Sequence, residues 1–186
     1  MKIDYIVVVN GAPGSGKDTF CNFCCNYLAY YGQHGTIIST VDLVKKLAME
    51  AGWNGEKDLH SRKGLSDLKD LLTQWLDAPW RDVHTKIDNI KETWWPATDY
   101  RFYFIMVREP EEIERYERED GAISVFIQRD VAEAQMSLNH ADSDVRKHHY
   151  HWYIENNGTL GQLEYAAVDF INSLVEEDLS DRQGTT

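Results

Sequence analysis

The chain has 186 residues, of which 42% are hydrophobic and 27% charged, and carries a formal net charge of −12 at pH 7. That is enough apolar material for one buried core and too much for a disordered chain. The acidic balance argues against a duplex DNA or RNA partner, which demands many cations on phosphate, but leaves room for a compact basic pocket around a small anion.

The opening MKIDYIVVVNG reads as a strand from Asp4 to Asn10, with Ile6, Val7, Val8 and Val9 in succession, hence buried on both faces. It runs straight into a glycine loop, which is not a signal-peptide pattern. No apolar run reaches the ~20 residues of a membrane span, and the expected setting is the cytoplasm. A helix follows from Lys17 to Tyr31. Its Cys21, Cys24, Cys25 and Leu28 recur at i, i+3, i+4 and i+7, so these cysteines form a core stripe and not a disulfide or zinc framework.

Thr36 to Ser39 is the second strand. Leu43, Val44, Leu47, Ala48 and Ala51 mark a helical stripe ending at Gly52. Leu65, Leu68, Leu72 and Trp75 mark a second helix closed before Pro79, and Val83, Ile87, Ile90 and Trp94 a third ended by Pro96. Trp75 and Trp94 are expected in the core. Phe102 to Val107 is the third strand, and a helix opens at Pro110 with acids behind it.

Ala122 to Ile127 is the fourth strand, with a short helix from Val131 to Leu138 and a polar stretch from Asn139 to Lys147 after it. Tyr150 to Ile154 is the fifth strand, and His148, His149 and His151 beside it read as polar edge residues. The last helix opens with Thr159-x-x-Gln162, a capping-box pattern, and buries Leu163, Ala167, Phe170 and Leu174. Residues 179–186 read as a polar, frayed tail. Strands alternating with helices predict a three-layer α/β/α fold with a five-stranded parallel sheet and a helical insertion between strands 2 and 3.

Gly11-Ala12-Pro13-Gly14-Ser15-Gly16-Lys17-Asp18-Thr19 carries the strongest signal. Its glycines let successive backbone N–H groups converge on an anion at a helix N-terminus, and Lys17 supplies a point charge for the β- and γ-phosphates of a nucleotide. A strand precedes the loop and a helix follows it, which is the context such a loop requires. The hydroxyl residue usual directly after the lysine stands one place later, at Thr19, with Asp18 between. Lys17, Lys45, Arg62, Arg108 and Arg129 fall near strand C-terminal ends or in the inserted helices, where an α/β sheet binds ligands.

A strand followed by G-x-P-G-x-G-K-x-T resembles the P-loop nucleoside monophosphate kinases, adenylate kinase-like and closest in motif to phage-type deoxynucleoside monophosphate kinases. Ile38-Ser39-Thr40-Val41-Asp42-Leu43-Val44-Lys45 is similar to the I-S-T-G-D-x-x-R signature of adenylate kinases, with Val41 for glycine and Lys45 for arginine. Arg108-Glu109-Pro110 resembles the strand-end R-x-P element of the phage enzymes. Ser61-Arg62-Lys63-Gly64 resembles their basic helix entry, and Ile154-Glu155-Asn156-Asn157-Gly158 the loop that wraps the donor adenine.

The resemblance implies a P-loop NTPase fold over residues 1–178, with 41–98 as acceptor-binding insertion and 129–148 as a lid-like segment. It implies ATP and Mg²⁺ as cofactors and a nucleotide as small-molecule acceptor. Donor binding falls to Gly11, Gly14, Ser15, Gly16, Lys17, Asp18, Thr19 and Asn157. Acceptor binding falls to Thr40, Asp42, Lys45, Arg62 and Arg108, and catalysis to Lys17, Arg108 and Arg129, with Arg146 a second lid cation. Thr19 and Asp42 are the expected metal contacts. The third strand ends Ile105-Met106-Val107 without an acid, which leaves Asp18 and Glu109 as alternatives to Asp42. Two other readings stand beside this one. The first is a kinase of another phosphorylated small molecule, of the dephospho-coenzyme A or phosphomevalonate type. The second is a P-loop module that binds nucleotide without transferring phosphate.

Overall fold

The computed structural model describes residues 3–56, 58–93, 99–134 and 148–183, with side chains for all of these but 133–134 and 181–183. Trp94, Trp95, Arg146, most of the lid-like segment and residues 184–186 lie outside the described residues. The chain divides into two compact units, Met1–Ile37 with Ala97–Thr186, and Ile38–Pro96.

The first unit is built on a five-stranded sheet of order β2-β3-β1-β4-β5. Its strands are β1 (Ile3–Asn10), β2 (His34–Ser39, whose last two residues fall in the second unit), β3 (Tyr100–Met106), β4 (Ile123–Gln128) and β5 (Trp152–Glu155). Parallel pairing joins β1 to β3, β1 to β4 and β4 to β5, with Val8 opposite Ile105 and Val9 opposite Val125. The expected α/β architecture with its parallel sheet is what the chain forms. The unbroken apolar run in β1 follows from its central place: Val7, Val8 and Val9 are buried between two neighbours and two helical layers.

Helices α1 (Lys17–Tyr30) and the last helix, α7 (Leu160–Gln183), pack together, and their inner faces meet the sheet. Phe20, Cys21, Cys24 and Leu28 from α1 join Leu163, Ala167, Phe170 and Leu174 from α7 in one core with Val7, Phe104 and Ile127. The cysteine stripe is therefore core, as its spacing predicts. The capping box forms reciprocally: the Thr159 N–H donates to Gln162 Oε1 at 2.7 Å, and the Gln162 N–H donates to Thr159 Oγ1 at 3.3 Å. On the other face, α5 (Pro110–Asp120) contacts β1 and β4 through Ile113 and Tyr116. The short helix α6 (Asp130–Ala134) follows β4.

Three boundaries depart from the sequence reading for local reasons. β5 begins at Trp152 and not Tyr150, because side chains hold the two preceding amides: Tyr150 N–H donates to the Tyr153 hydroxyl and His151 N–H to Ser124 Oγ. The second predicted helix of the insertion starts earlier, at Leu59, where Asp58 Oδ1 accepts the Ser61 N–H at 2.6 Å and caps it. The polar tail does not fray at Ser180; α7 continues to Gln183, with Ser180 Oγ bonded to the Glu176 carbonyl.

The second unit holds α2 (Asp42–Glu50), α3 (Leu59–Leu76) and α4 (Ala78–Glu92), which contact one another pairwise. Asp77, at φ 50°, ends α3 and starts α4, and Pro79 fits the first turn of α4 where no N–H is needed. Val44, Val83 and Ile87 form its buried centre. Trp75 corrects the sequence reading. It is 73% exposed, as is Leu71 one turn earlier at 57%, so the apolar stripe of α3 is only partly turned inward.

Candidate functional site

The loop between β1 and α1 is shaped by three positive-φ glycines: Gly11 at 146°, Gly14 at 81° and Gly16 at 98°. Two of them also admit no side chain. A Cβ on Gly11 would strike the Ile127 carbonyl of β4, and one on Gly16 would strike the Asn156 side-chain amide. Gly16 is the N-cap of α1 and offers no side-chain cap, and the first intrahelical bond runs from Phe20 N–H to Gly16 O at 2.9 Å. The amides of Lys17, Asp18 and Thr19 thus begin a helix with no side-chain cap, and the exposed Asp18 carboxylate lies in its first turn.

Lys17 reaches back over the loop. Its Nζ donates to the Gly11 carbonyl at 2.6 Å and the Ala12 carbonyl at 2.9 Å. The two carbonyls fix the ammonium against the start of the loop. A turn bond from Ser15 N–H to the Ala12 carbonyl at 3.0 Å holds the loop's shape, and the Ser15 hydroxyl is buried without a hydrogen-bond partner among the described residues.

Three other strand ends tie into this loop. Asn10, buried at the end of β1, accepts the Gly11 N–H on Oδ1 and donates from Nδ2 to the Arg108 carbonyl at 3.2 Å. That bond anchors the backbone of Arg108, whose side chain is exposed just past β3. Arg129, past β4, donates from Nη1 to the Gly14 carbonyl at 3.2 Å. Asn156, past β5, donates from Nδ2 to the Ser15 carbonyl at 2.7 Å, while its own N–H continues the sheet to the Gln128 carbonyl. The loops after β1, β3, β4 and β5 therefore meet at the C-terminal edge of the sheet, where open α/β sheets form their ligand crevice.

The sequence reading gives Asn157 to the donor nucleotide, and its neighbour Asn156 is the one bonded to the Gly11–Gly16 loop. Asn157 Oδ1 accepts the Asp130 N–H at 2.9 Å, at the start of α6. Asn10 and Asn156 are the residues the sequence reading missed. An asparagine at a strand end carries no spacing signal, and in Asn156-Asn157 only the backbone direction decides which side chain faces the loop.

Of the acceptor candidates, four lie in the helical unit. Thr40 is buried, and Lys45 and Arg62 are exposed on α2 and α3. Asp42 Oδ2 accepts the Ser39 N–H at 3.1 Å and lies 3.4 Å from Lys86 Nζ, which also pairs with Asp82 at 2.8 Å. Asp42 is the first residue of α2, whose N-cap is Val41. Lys86, one helix away in α4, has no motif to announce it.

Residues suited to a metal are few. Among the described residues no group of three or more His, Cys, Asp or Glu is placed to hold an ion. Thr19, the expected hydroxyl contact, is half-buried in the first turn of α1. His148 and His151 do not stand open for a metal. Both meet Glu117 of α5, at 3.0 and 3.4 Å, and His151 Nδ1 also accepts the Ser124 N–H at 3.1 Å.

No protein-family model and no curated protein sequence matches the chain. Among solved structures it is similar to one titled "Crystal structure of APE1195", at 13% identity and a TM-score of 0.46, over 95% of this chain and 97% of that one.

Proposed function

We propose that the protein transfers the γ-phosphoryl group of ATP to a nucleoside or deoxynucleoside monophosphate, releasing ADP and the acceptor's diphosphate. The observation that carries this reading is the placement of Lys17, the first residue of the uncapped helix α1, with its Nζ drawn back onto the loop by the Gly11 and Ala12 carbonyls. A fixed ammonium and converging helix amides are what a polyphosphate tail requires, and little else in the first unit needs a lysine there.

In phosphoryl transfer an acceptor phosphate oxygen bonds to the γ-phosphorus as the bond from that phosphorus to the β-bridging oxygen breaks. The protein contributes position and positive charge more than covalent chemistry. Lys17 neutralises charge that accumulates on the leaving β-phosphate side. Arg129 and Arg108, on the loops after the two strands that flank β1, supply cations for the equatorial oxygens of the group in flight. Thr19 would offer a bound magnesium its hydroxyl, and the ion would supply neutralisation of the phosphate charge. Thr40, Asp42, Lys45 and Arg62 take the acceptor in this reading. Lysine in place of arginine at 45 neutralises its phosphate without a bidentate fork.

The test is ADP release measured with ATP, Mg²⁺ and a panel of ribo- and deoxyribonucleoside monophosphates. Release stimulated at least tenfold by one acceptor supports the kinase. Tight ATP binding with no stimulation by any acceptor replaces it with a nucleotide-binding module.

A further inference from the structure

We propose that Asn156 is a positioning residue that aims the Gly16 N–H at a bound polyphosphate, by holding the other end of the same peptide unit. This deepens the functional reading above and rests on its phosphate loop. The argument starts from peptide geometry: the unit is planar and trans, so the C=O of one residue and the N–H of the next point in opposite directions. Asn156 Nδ2 donates to the Ser15 carbonyl at 2.7 Å and thereby turns the Gly16 N–H away from the β5 loop.

In the preceding peptide the Gly14 carbonyl accepts from Arg129 Nη1 at 3.2 Å, and the Ser15 N–H is spent on the Ala12 carbonyl at 3.0 Å. Two successive carbonyls are therefore held by the flanking loops, and the amide opposite the held Ser15 carbonyl, that of Gly16, joins the first amides of α1 as a donor for an anion.

The missing side chain of Gly16 is part of the device. At φ 98° any other residue is strained, and a Cβ there would collide with the Asn156 amide, so that amide occupies the room glycine leaves. Asn156 is itself placed by the sheet, since its N–H bonds to the Gln128 carbonyl at 2.8 Å as the next rung beyond β5. The chain thus uses the rigid edge of β5 to set a peptide in a loop 141 residues away.

The test uses the full chain, labelled with ¹⁵N and ¹³C, and inorganic tripolyphosphate as the probe. In the parent, tripolyphosphate is expected to move the Gly16 amide proton downfield. The scalar coupling across the hydrogen bond from Asn156 Nδ2 to the Ser15 carbonyl carbon is expected to persist at saturation. In Asn156→Ala the Gly16 shift is expected to be lost and the affinity for tripolyphosphate to fall about fivefold to tenfold, the range of one lost hydrogen bond. Asn156→Asp, which faces the Ser15 carbonyl with an acceptor, is expected to lose at least as much.

An unchanged Gly16 shift with affinity within twofold in Asn156→Ala would overturn the proposal. So would a coupling that vanishes when the parent is saturated, a measurement that needs no variant. If the parent binds neither tripolyphosphate nor ATP, the functional reading fails first, and that result is distinct from either of these.

Discussion

Arg129 Nη1 bonds to the carbonyl oxygen of Gly14 at 3.2 Å, across 115 positions of the chain. An exposed arginine bonded to a loop carbonyl holds its charge at the loop's rim without being buried there. A guanidinium has donors to spare, so one bond to Gly14 leaves others for a phosphate oxygen. Arg129→Ala is expected to lower acceptor-dependent ADP release about 100-fold, the scale of losing one preorganised donor to a transition state. The melting temperature should hardly move, since an exposed side chain contributes within ~0.5 kcal/mol. Turnover unchanged in this variant would return Arg129 to the class of solvated surface charges.

Lys17 offers a sharper separation of binding from folding. Its bonds to the Gly11 and Ala12 carbonyls are made to groups that a water can satisfy in its absence. Lys17→Ala is therefore expected to remain folded while ATP affinity, read by calorimetry, falls at least about 100-fold, as for a charge-assisted contact to phosphate. Equal affinity in variant and parent would remove the basis of the functional reading.

Much of this arrangement is legible in the residues alone. The β-branched run Ile6 to Val9 announces a central strand, the glycine spacing announces the loop, and Thr159 with Gln162 announces the start of the last helix, because each is a local cause acting within a few residues. What is not legible depends on direction in space. Asn156 and Asn157 are the same residue type side by side, and the sheet edge decides that the first faces Ser15 and the second faces Asp130. Trp75 sits at helical spacing from Leu68 and Leu72 yet is exposed, since periodicity gives a face and not the neighbour that covers it. Asp42 and Lys86 meet across two helices, a pairing that no spacing encodes.

Gly16→Ala tests the loop's geometry independently of any ligand. The substitution forces a Cβ into φ 98° and against the Asn156 amide, so strain and the loss of the Ser15 contact add. A destabilisation of about 1–3 kcal/mol is expected, read as a fall of several degrees in melting temperature at ~2–4 °C per kcal/mol for a chain of this size. Gly14→Ala, at φ 81° with open space around the new methyl, should cost less than Gly16→Ala. A reversed order would show that the loop is not held as described.

His34 couples stability to pH. Burial, with the positive charge of Arg101 adding to it, lowers its pKa below the ordinary 6.5. Thr36 Oγ1 stands 2.6 Å from Nε2. The folded state then binds fewer protons at this site than the unfolded chain does. Its contribution to stability is complete above about pH 6.5 and is lost as the pH falls from there through the lower folded value. Urea unfolding at pH 7.5 and 5.5 is expected to show a drop toward the acid side that His34→Gln reduces. An identical drop in the variant would assign it to other groups.

The cysteines give a prediction that depends on packing alone. Cys21 and Cys24 are wholly buried, and burial raises both thiols well above their ordinary value, each further raised by neighbouring cysteines. Cys25 is less enclosed, with Sγ packed against Gly35 of β2, and burial pushes its pKa up to about 11. Because the thiolate is the nucleophile, at pH 8 only about one Cys25 in a thousand is reactive at any instant. A chromogenic disulfide reagent at that pH is expected to find fewer than one fast thiol per native chain, and all three after denaturation. Raising the pH from 8 to 9 should speed the Cys25 reaction about tenfold, since the thiolate fraction rises tenfold per pH unit below the pKa. A fast thiol in the native protein at pH 8 would mean that the inner face of α1 is open to solvent, and with it the helix whose N-terminus follows the Gly11–Gly16 loop.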